Sequence, residues 1–125
     1  MKTINNKFDR FVCIGDAVSW DVGVFTLAAR IEPDYVTQPT DFECYTKKDI
    51  ERWKNDEWCY VGIVIDVFIG DVPITKHAAS LWGIDCNFGK DNTYLDDVAH
   101  DLEDEALEKA RVDLVRIRKA LEVTA

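Results

Sequence analysis

The clearest signal in the chain is an alternation of apolar and polar positions. In residues 24–31, Phe25, Leu27, Ala29 and Ile31 fall on one side, and Thr26 and Arg30 on the other. A period of two predicts a strand with one buried face. The short run at residues 17–20 precedes it across Asp21-Val22-Gly23, so these two runs predict a hairpin. Residues 59–69 give the strongest strand. The odd positions Cys59, Val61, Ile63, Ile65, Val67 and Ile69 are apolar throughout, while Tyr60, Gly62, Val64, Asp66 and Phe68 alternate with them. One face belongs to a core and the other is partly covered. Gly70-Asp71 marks the next turn. Pro73 cannot donate to a ladder, so full pairing of the return strand is expected only over residues 76–84.

Two helices follow from different patterns. Thr46-Lys47-Lys48-Asp49 reads as a cap with an acid at its third position, opening a short helix with Ile50, Trp53 and Trp58 turned inward. Residues 94–121 carry Leu95, Ala99, Leu102, Ala106, Ala110, Leu114, Ile117 and Leu121 at alternating spacings of three and four, which is one helical face. Val98, Leu107, Val112 and Val115 widen that stripe, and Thr93 with Asp96 is the expected cap. Acids crowd the first half, while Arg111, Arg116, Arg118 and Lys119 lie toward the end, as the helix dipole favours. A helix this long is expected to outrun its sheet and offer its tail to a second copy, making a homo-oligomer. The elements predict a single α+β domain over residues 1–125. It has an antiparallel sheet of about four strands, one short helix, and a long C-terminal helix packed on one face. Residues 1–7 read as a loose polar arm, and residues 32–45, with Pro33 and Pro39, as a loop joining two hairpins.

Composition narrows the setting. The 125 residues are 47% hydrophobic, enough to bury a core without a metal or disulfide. The 24 acids against 15 bases give a net charge of −9. That charge disfavours direct nucleic-acid and anionic-membrane binding and favours a partner with a basic surface. The first residues lack an apolar signal core, and no window reaches the ~18 apolar residues of a membrane span. Of the four cysteines, Cys13 and Cys59 lie in apolar runs, where buried reduced thiols are expected, and no CxxC pair occurs. A cytoplasmic protein is the expectation.

Candidate chemistry is sparse. His77, His100, Cys44, Cys59 and Cys86 lack metal-ligand spacing, so neither a metal nor another cofactor is expected. Ser80 sits before Leu81 and Trp82 without a GxSxG elbow. Cys86 and His77 would stand roughly 25–30 Å apart in an extended segment. Asp97 and Asp101 share a helical face, an arrangement that binds cations but also arises on any solvated acidic helix. The glycines form no phosphate loop. These observations favour a protein that is not an enzyme. Tyr35, Phe42, Tyr45, Trp53, Trp58 and Tyr60 cluster around the acidic loop; most are expected in the core, and exposed members would form an acid-ringed protein interface. Trp82 is expected to be buried.

Four segments carry a resemblance. They are Asp49-Ile50-Glu51-Arg52-Trp53; Asp56-Glu57-Trp58 leading into Tyr60-Val61-Gly62-Ile63-Val64; Ala79-Ser80-Leu81-Trp82-Gly83-Ile84; and Tyr94-Leu95 with Val98-Ala99 and Leu102. Together, over roughly residues 10–110, they resemble small uncharacterised proteins of bacteriophages and prophages. The resemblance implies an accessory protein made in the cytoplasm of an infected bacterium. With the acidic helix, it suggests binding to a host or phage protein, including inhibition of a nucleic-acid-handling system through carboxylates that imitate phosphates. Asp97, Asp101, Glu105 and Glu108 are the expected contacts, with Asp96, Glu103 and Asp104 beside them. The alternative is an oligomeric module that binds a small ligand or nucleotide in a pocket of Trp53, Trp58, Tyr60 and Trp82.

Overall fold

The computed structural model describes residues 6–89 and 91–124. Residues 1–5 of the expected arm lie outside them. The alternating segments form β1 (Ala17–Val22), β2 (Phe25–Pro33), β3 (Cys59–Ile69) and β4 (Val72–Cys86). They make one four-stranded antiparallel sheet in the order β1-β2-β3-β4. Gly23 and Val24 alone turn the first hairpin, since Val22 already faces Phe25. The two hairpins are joined side by side through Leu27↔Val67, Ala29↔Ile65 and Ile31↔Ile63. The α+β architecture expected from the periodicities is present.

Among the described residues, three α-helices complete it, α1 (Lys47–Lys54), α2 (Thr93–Asp101) and α3 (Glu103–Thr124), with a short 3-10 helix at Pro39–Asp41. Leu27, Ala29, Ile31, Val61, Ile63, Ile65 and Val67 of the sheet meet Leu95, Ala99, Ala106 and Ala110 of the helices, and all are 0% exposed. Burial of this face drives the packing, with each large side chain contributing about 1.5–3 kcal/mol. The helix expected to run unbroken bends at Leu102. There one N–H is shared between the carbonyls of Val98 and Ala99, both at 3.3 Å. The bend lets α2 pack on β3 while α3 runs chiefly along β4. Trp20 sits at the bend, its ring 4.3 Å from that of His100 and its Nε1 donating to Glu103 Oε1 at 2.6 Å. Farther along, Thr75 Oγ1 donates to Asp113 at 2.7 Å. Beyond that point α3 leaves the sheet, with Ile117 40% and Leu121 64% exposed.

Several expectations are corrected. Thr93 is the first helical residue rather than the cap, and Asn92 precedes it. Asp96 is taken by another task, accepting the N–H of Phe8 at 2.8 Å. The apolar run that holds Cys13 forms no strand over residues 8–13. It is held by Asn87, which bonds both the N–H and the carbonyl of Val12, and by Asn92, which donates to the carbonyl of Arg10. Val12 is therefore buried and Cys13 exposed. Pro73 does not delay pairing, because the β3/β4 ladder begins at Ile69↔Val72 and includes Phe68↔Pro73. β4 is an edge strand, where a missing donor is tolerated.

The largest correction concerns Trp82, which is 46% exposed. Ser80 pairs with Val64, so Ser80 and Trp82 belong to the even-numbered face of β3, opposite the helices. A bulge sets Trp82 and Gly83 against Gly62 alone, and the indole lies over Gly62. A Cβ at Gly62 would collide with that ring. Gly62→Ala is therefore expected to lower stability by about 1–3 kcal/mol. The same change in a Trp82→Ala background should be nearly neutral. Denaturant midpoints of the four proteins in the cycle check this; equal losses in both backgrounds would remove the indole from Gly62.

Candidate functional site

Between the end of α1, the start of β3 and the loop after β2 lies a cleft of about 480 Å³. Its outer wall is built on Asp34. One carboxylate oxygen accepts the N–H groups of Val36 and Thr37 at 3.0 and 3.1 Å. The other accepts the Thr37 hydroxyl at 2.7 Å and the N–H of Gly83 at 2.9 Å. This is a self-bonded aspartate turn tied across to the β4 bulge. Burial opposes ionisation of Asp34, but the bonds from Thr37, Val36 and Gly83 outweigh it and hold the carboxyl below its ordinary range.

The opposite wall comes from α1, opened by the expected capping box: Asp49 N–H donates to Thr46 Oγ1 at 3.1 Å, and Thr46 N–H to Asp49 Oδ2 at 3.0 Å. Trp53 lies half-buried along the cleft, with Lys54 and Asp56 exposed at its rim. The floor is Trp58 and Tyr60, only 1% and 2% exposed. Trp58 donates from Nε1 to the carbonyl of Asp49 at 2.9 Å, which anchors the short helix. Behind it stand Tyr45 (stacked, 5.1 Å), Tyr60 (5.2 Å) and Phe88 (5.0 Å). This block is a small second core beneath the acidic loop. Tyr45 donates to Asp85 at 2.9 Å. Burial, then the neighbouring Tyr60 hydroxyl and the bond to Asp85, push its ionisation above the ordinary range. The buried hydroxyl of Tyr60 has no hydrogen-bond partner. Phe42 and Tyr35 are 46% and 88% exposed, so the aromatic cluster is core at its base and surface at its tips.

Cys59 completes the wall, half-buried, with its thiol accepting a hydrogen bond from Cys86. That bond outweighs burial and the charge of Asp56 and brings Cys59 down to about 7. The same bond, then burial, pushes Cys86 up. Cys59 is thus less buried than its odd-numbered strand position implied, while Cys86 is 1% exposed.

Three of the four residues expected in an aromatic pocket, Trp53, Trp58 and Tyr60, therefore meet at the cleft. Trp82 does not. It borders a neighbouring shallow hollow with Val36, on the far side of the turn built on Asp34. Asp97, Asp101, Asp104, Glu105 and Glu108 are exposed, and the bend at Leu102 falls within their row. Asp96 and Glu103 are half-buried and engaged, one with the N–H of Phe8 and the other with the indole of Trp20. His77 and Ser80 meet in a way the sequence reading missed, with Nε2 and Oγ 2.9 Å apart. A bulge sets Lys76, His77 and Ala78 opposite Asp66, and His77 has a φ of 54°. Asp66 accepts the backbone N–H of His77 at 2.8 Å and Arg30 Nε at 2.9 Å, so its carboxylate does not orient the imidazole. The pair is exposed on the open sheet face.

Among the described residues, no group of three or more His, Cys, Asp or Glu side chains is placed to hold a metal ion. No described helix is long and apolar enough to cross a membrane. Comparison with family models, curated proteins and solved structures gives no match.

The wall at Asp34 has a pH signature. Its folded carboxyl ionises below the unfolded value of about 3.9. The stabilisation is therefore full above that value and is lost as pH falls through the folded one. Asp34→Asn should melt at a lower temperature at neutral pH and show a shallower decline on acidification than the wild type. Thermal melts from neutral pH to about pH 2 check this; parallel curves would mean the carboxylate does not stabilise the turn.

Proposed function

We propose that the cleft binds a small, planar, largely apolar ligand that is neutral or positively charged, and that the protein acts as a binding module rather than as an enzyme. The observation that carries this reading is the position of Trp53. It is half-buried along a concave space whose floor is Trp58 and Tyr60, with few polar groups at its rim. Mostly apolar concavity with a few polar groups is the general character of small-molecule sites. Charge selects the ligand class. Asp34 and Asp56 outnumber Lys54 at the cleft, and the chain carries −9 overall, which disfavours nucleoside phosphates.

The test is a panel of size-matched planar aromatics in neutral, cationic and anionic forms, read by tryptophan fluorescence and by melting temperature. Neutral or cationic members should quench fluorescence and raise the melting temperature, and anionic ones should do neither. Trp53→Ala should keep the fold, because Trp53 is outside the main core, and lose the ligand response. An undiminished response in Trp53→Ala would remove the cleft as the binding site.

A second reading rests on the exposure of Asp97, Asp101, Glu105 and Glu108. In it, the protein is a phage-type accessory factor of the bacterial cytoplasm. The acid row docks on a basic host or phage protein and inhibits its handling of nucleic acid; the exposed tail around Leu121 contacts a second copy. Changing the four acids together to Asn and Gln should alter stability by less than about 1 kcal/mol per residue, because exposed charges contribute little to folding. It should also abolish salt-sensitive capture of basic proteins from a bacterial lysate. Equal capture by the variant and the wild type would reduce the row to solvated surface.

A further inference from the structure

We propose that Cys59 and Cys86 form a reversible dithiol–disulfide site, in which Cys59 reacts first with a low-molecular-weight disulfide and Cys86 closes the bridge.

The geometry comes from the ladder. Cys59 and Cys86 are direct partners at the end of the β3/β4 pairing. Directly opposed residues of an antiparallel pair have Cα atoms about 4.5–5.5 Å apart. That lies within the roughly 4.4–6.8 Å that a disulfide spans. Because the two residues already face each other in the ladder, no strand has to move to bring them together. Cys13 and Cys44 lie outside the strands and have no such partner.

Access divides the roles. Cys59 opens on the cleft, whereas Cys86 is 1% exposed. An attacking disulfide therefore reaches Cys59. The hydrogen bond from Cys86 favours the Cys59 thiolate, and the thiolate is the reactive form. In the first step it attacks one sulfur of the disulfide. The S–S bond breaks, a mixed disulfide forms on Cys59, and one thiolate leaves. Cys86 then gives up its proton to that thiolate, and its sulfur attacks the Cys59 sulfur, expelling the second thiolate, which takes a proton from solvent. The protein loses two electrons and two protons, and the external disulfide is reduced to two thiols. The inference stands on the cysteine pair and is independent of the ligand reading of the cleft.

The experiment uses the full chain carrying Cys13→Ser and Cys44→Ser, treated with oxidised glutathione at neutral pH and followed by intact mass and peptide mapping. The expected product is two hydrogens lighter, bridged between residues 59 and 86, and restored by dithiothreitol. Adding Cys86→Ser should trap one glutathione on Cys59. Adding Cys59→Ser should leave Cys86 unmodified over the same time. If a serine variant fails to fold by circular dichroism, the alanine variant carries the same comparison. The wild-type pair read by peptide mapping needs neither. Accumulation of a stable glutathione adduct with no bridge, faster reaction at Cys86 than at Cys59, or no reaction at either would overturn the proposal.

Discussion

The structure depends on covering a central strand from both sides when helices cover only one. β3 has 0% exposure at Val61, Ile63, Ile65 and Val67 on its odd-numbered face and at Val64 on its even-numbered face. The odd-numbered face is buried under α2 and α3. The even-numbered face has to be covered by the sheet's own side chains and by a loop. At Gly62 the cover is the indole of Trp82. At Asp66 it is the ion pair with Arg30, which also pairs with Glu32. At Tyr60 it is the block of Phe42, Tyr45 and Trp58 delivered by residues 34–58. The cleft lies where this cover ends, so the site is a consequence of how β3 is sealed.

Asp34 couples these parts. Its carboxylate shapes the turn at residues 34–37 and also receives the N–H of Gly83. Gly83 adopts a φ of +73°, a conformation that side-chain-bearing residues rarely take. The bulge that frees this N–H is the one that sets Trp82 over Gly62. Loop position, bulge and indole placement therefore share one carboxylate.

The sequence showed what depends on local periodicity. Alternation in residues 24–31 and 59–69 located the inward faces of β2 and β3, and Thr46 with Asp49 located the start of α1. It did not show what depends on register. An unbroken ladder from Ile69↔Val72 would set Cys59 opposite Trp82, and the extra residues accommodated by β4 bring Cys86 there instead. The same irregularities turn His77 toward Ser80 and leave Trp82 on the open face. Side chains such as Asp66 and Asp34 stabilise the bulges from distant segments, and no local pattern announces them. Of the aromatic site, the residue types and three members were legible, because Trp53, Trp58 and Tyr60 lie within one short stretch. The exclusion of Trp82 was not.

The distribution of burial separates residues that build the site from residues free to act in it. Trp58 and Tyr60 belong to a packed block, so truncating them opens a cavity, at a typical cost of about 3–5 kcal/mol for a large aromatic. Their identity is constrained by folding whatever the cleft holds. Trp53, Lys54, Asp56 and Cys59 are at least partly exposed and border the same space. Substitutions at the rim positions leave the main core intact. Yet this stretch brings an indole, a cation, a carboxylate and a thiol onto one wall. Lys54 ends α1 and Asp56 lies just beyond it, holding a φ of 60°, an unfavourable conformation for a residue with a side chain. The strain lies at the rim, beside the thiol, while the floor is conventionally packed. In the proposed binding role, a rigid aromatic base beneath a polar, accessible edge would let ligand preference change through the edge residues without disturbing the packing that seals β3.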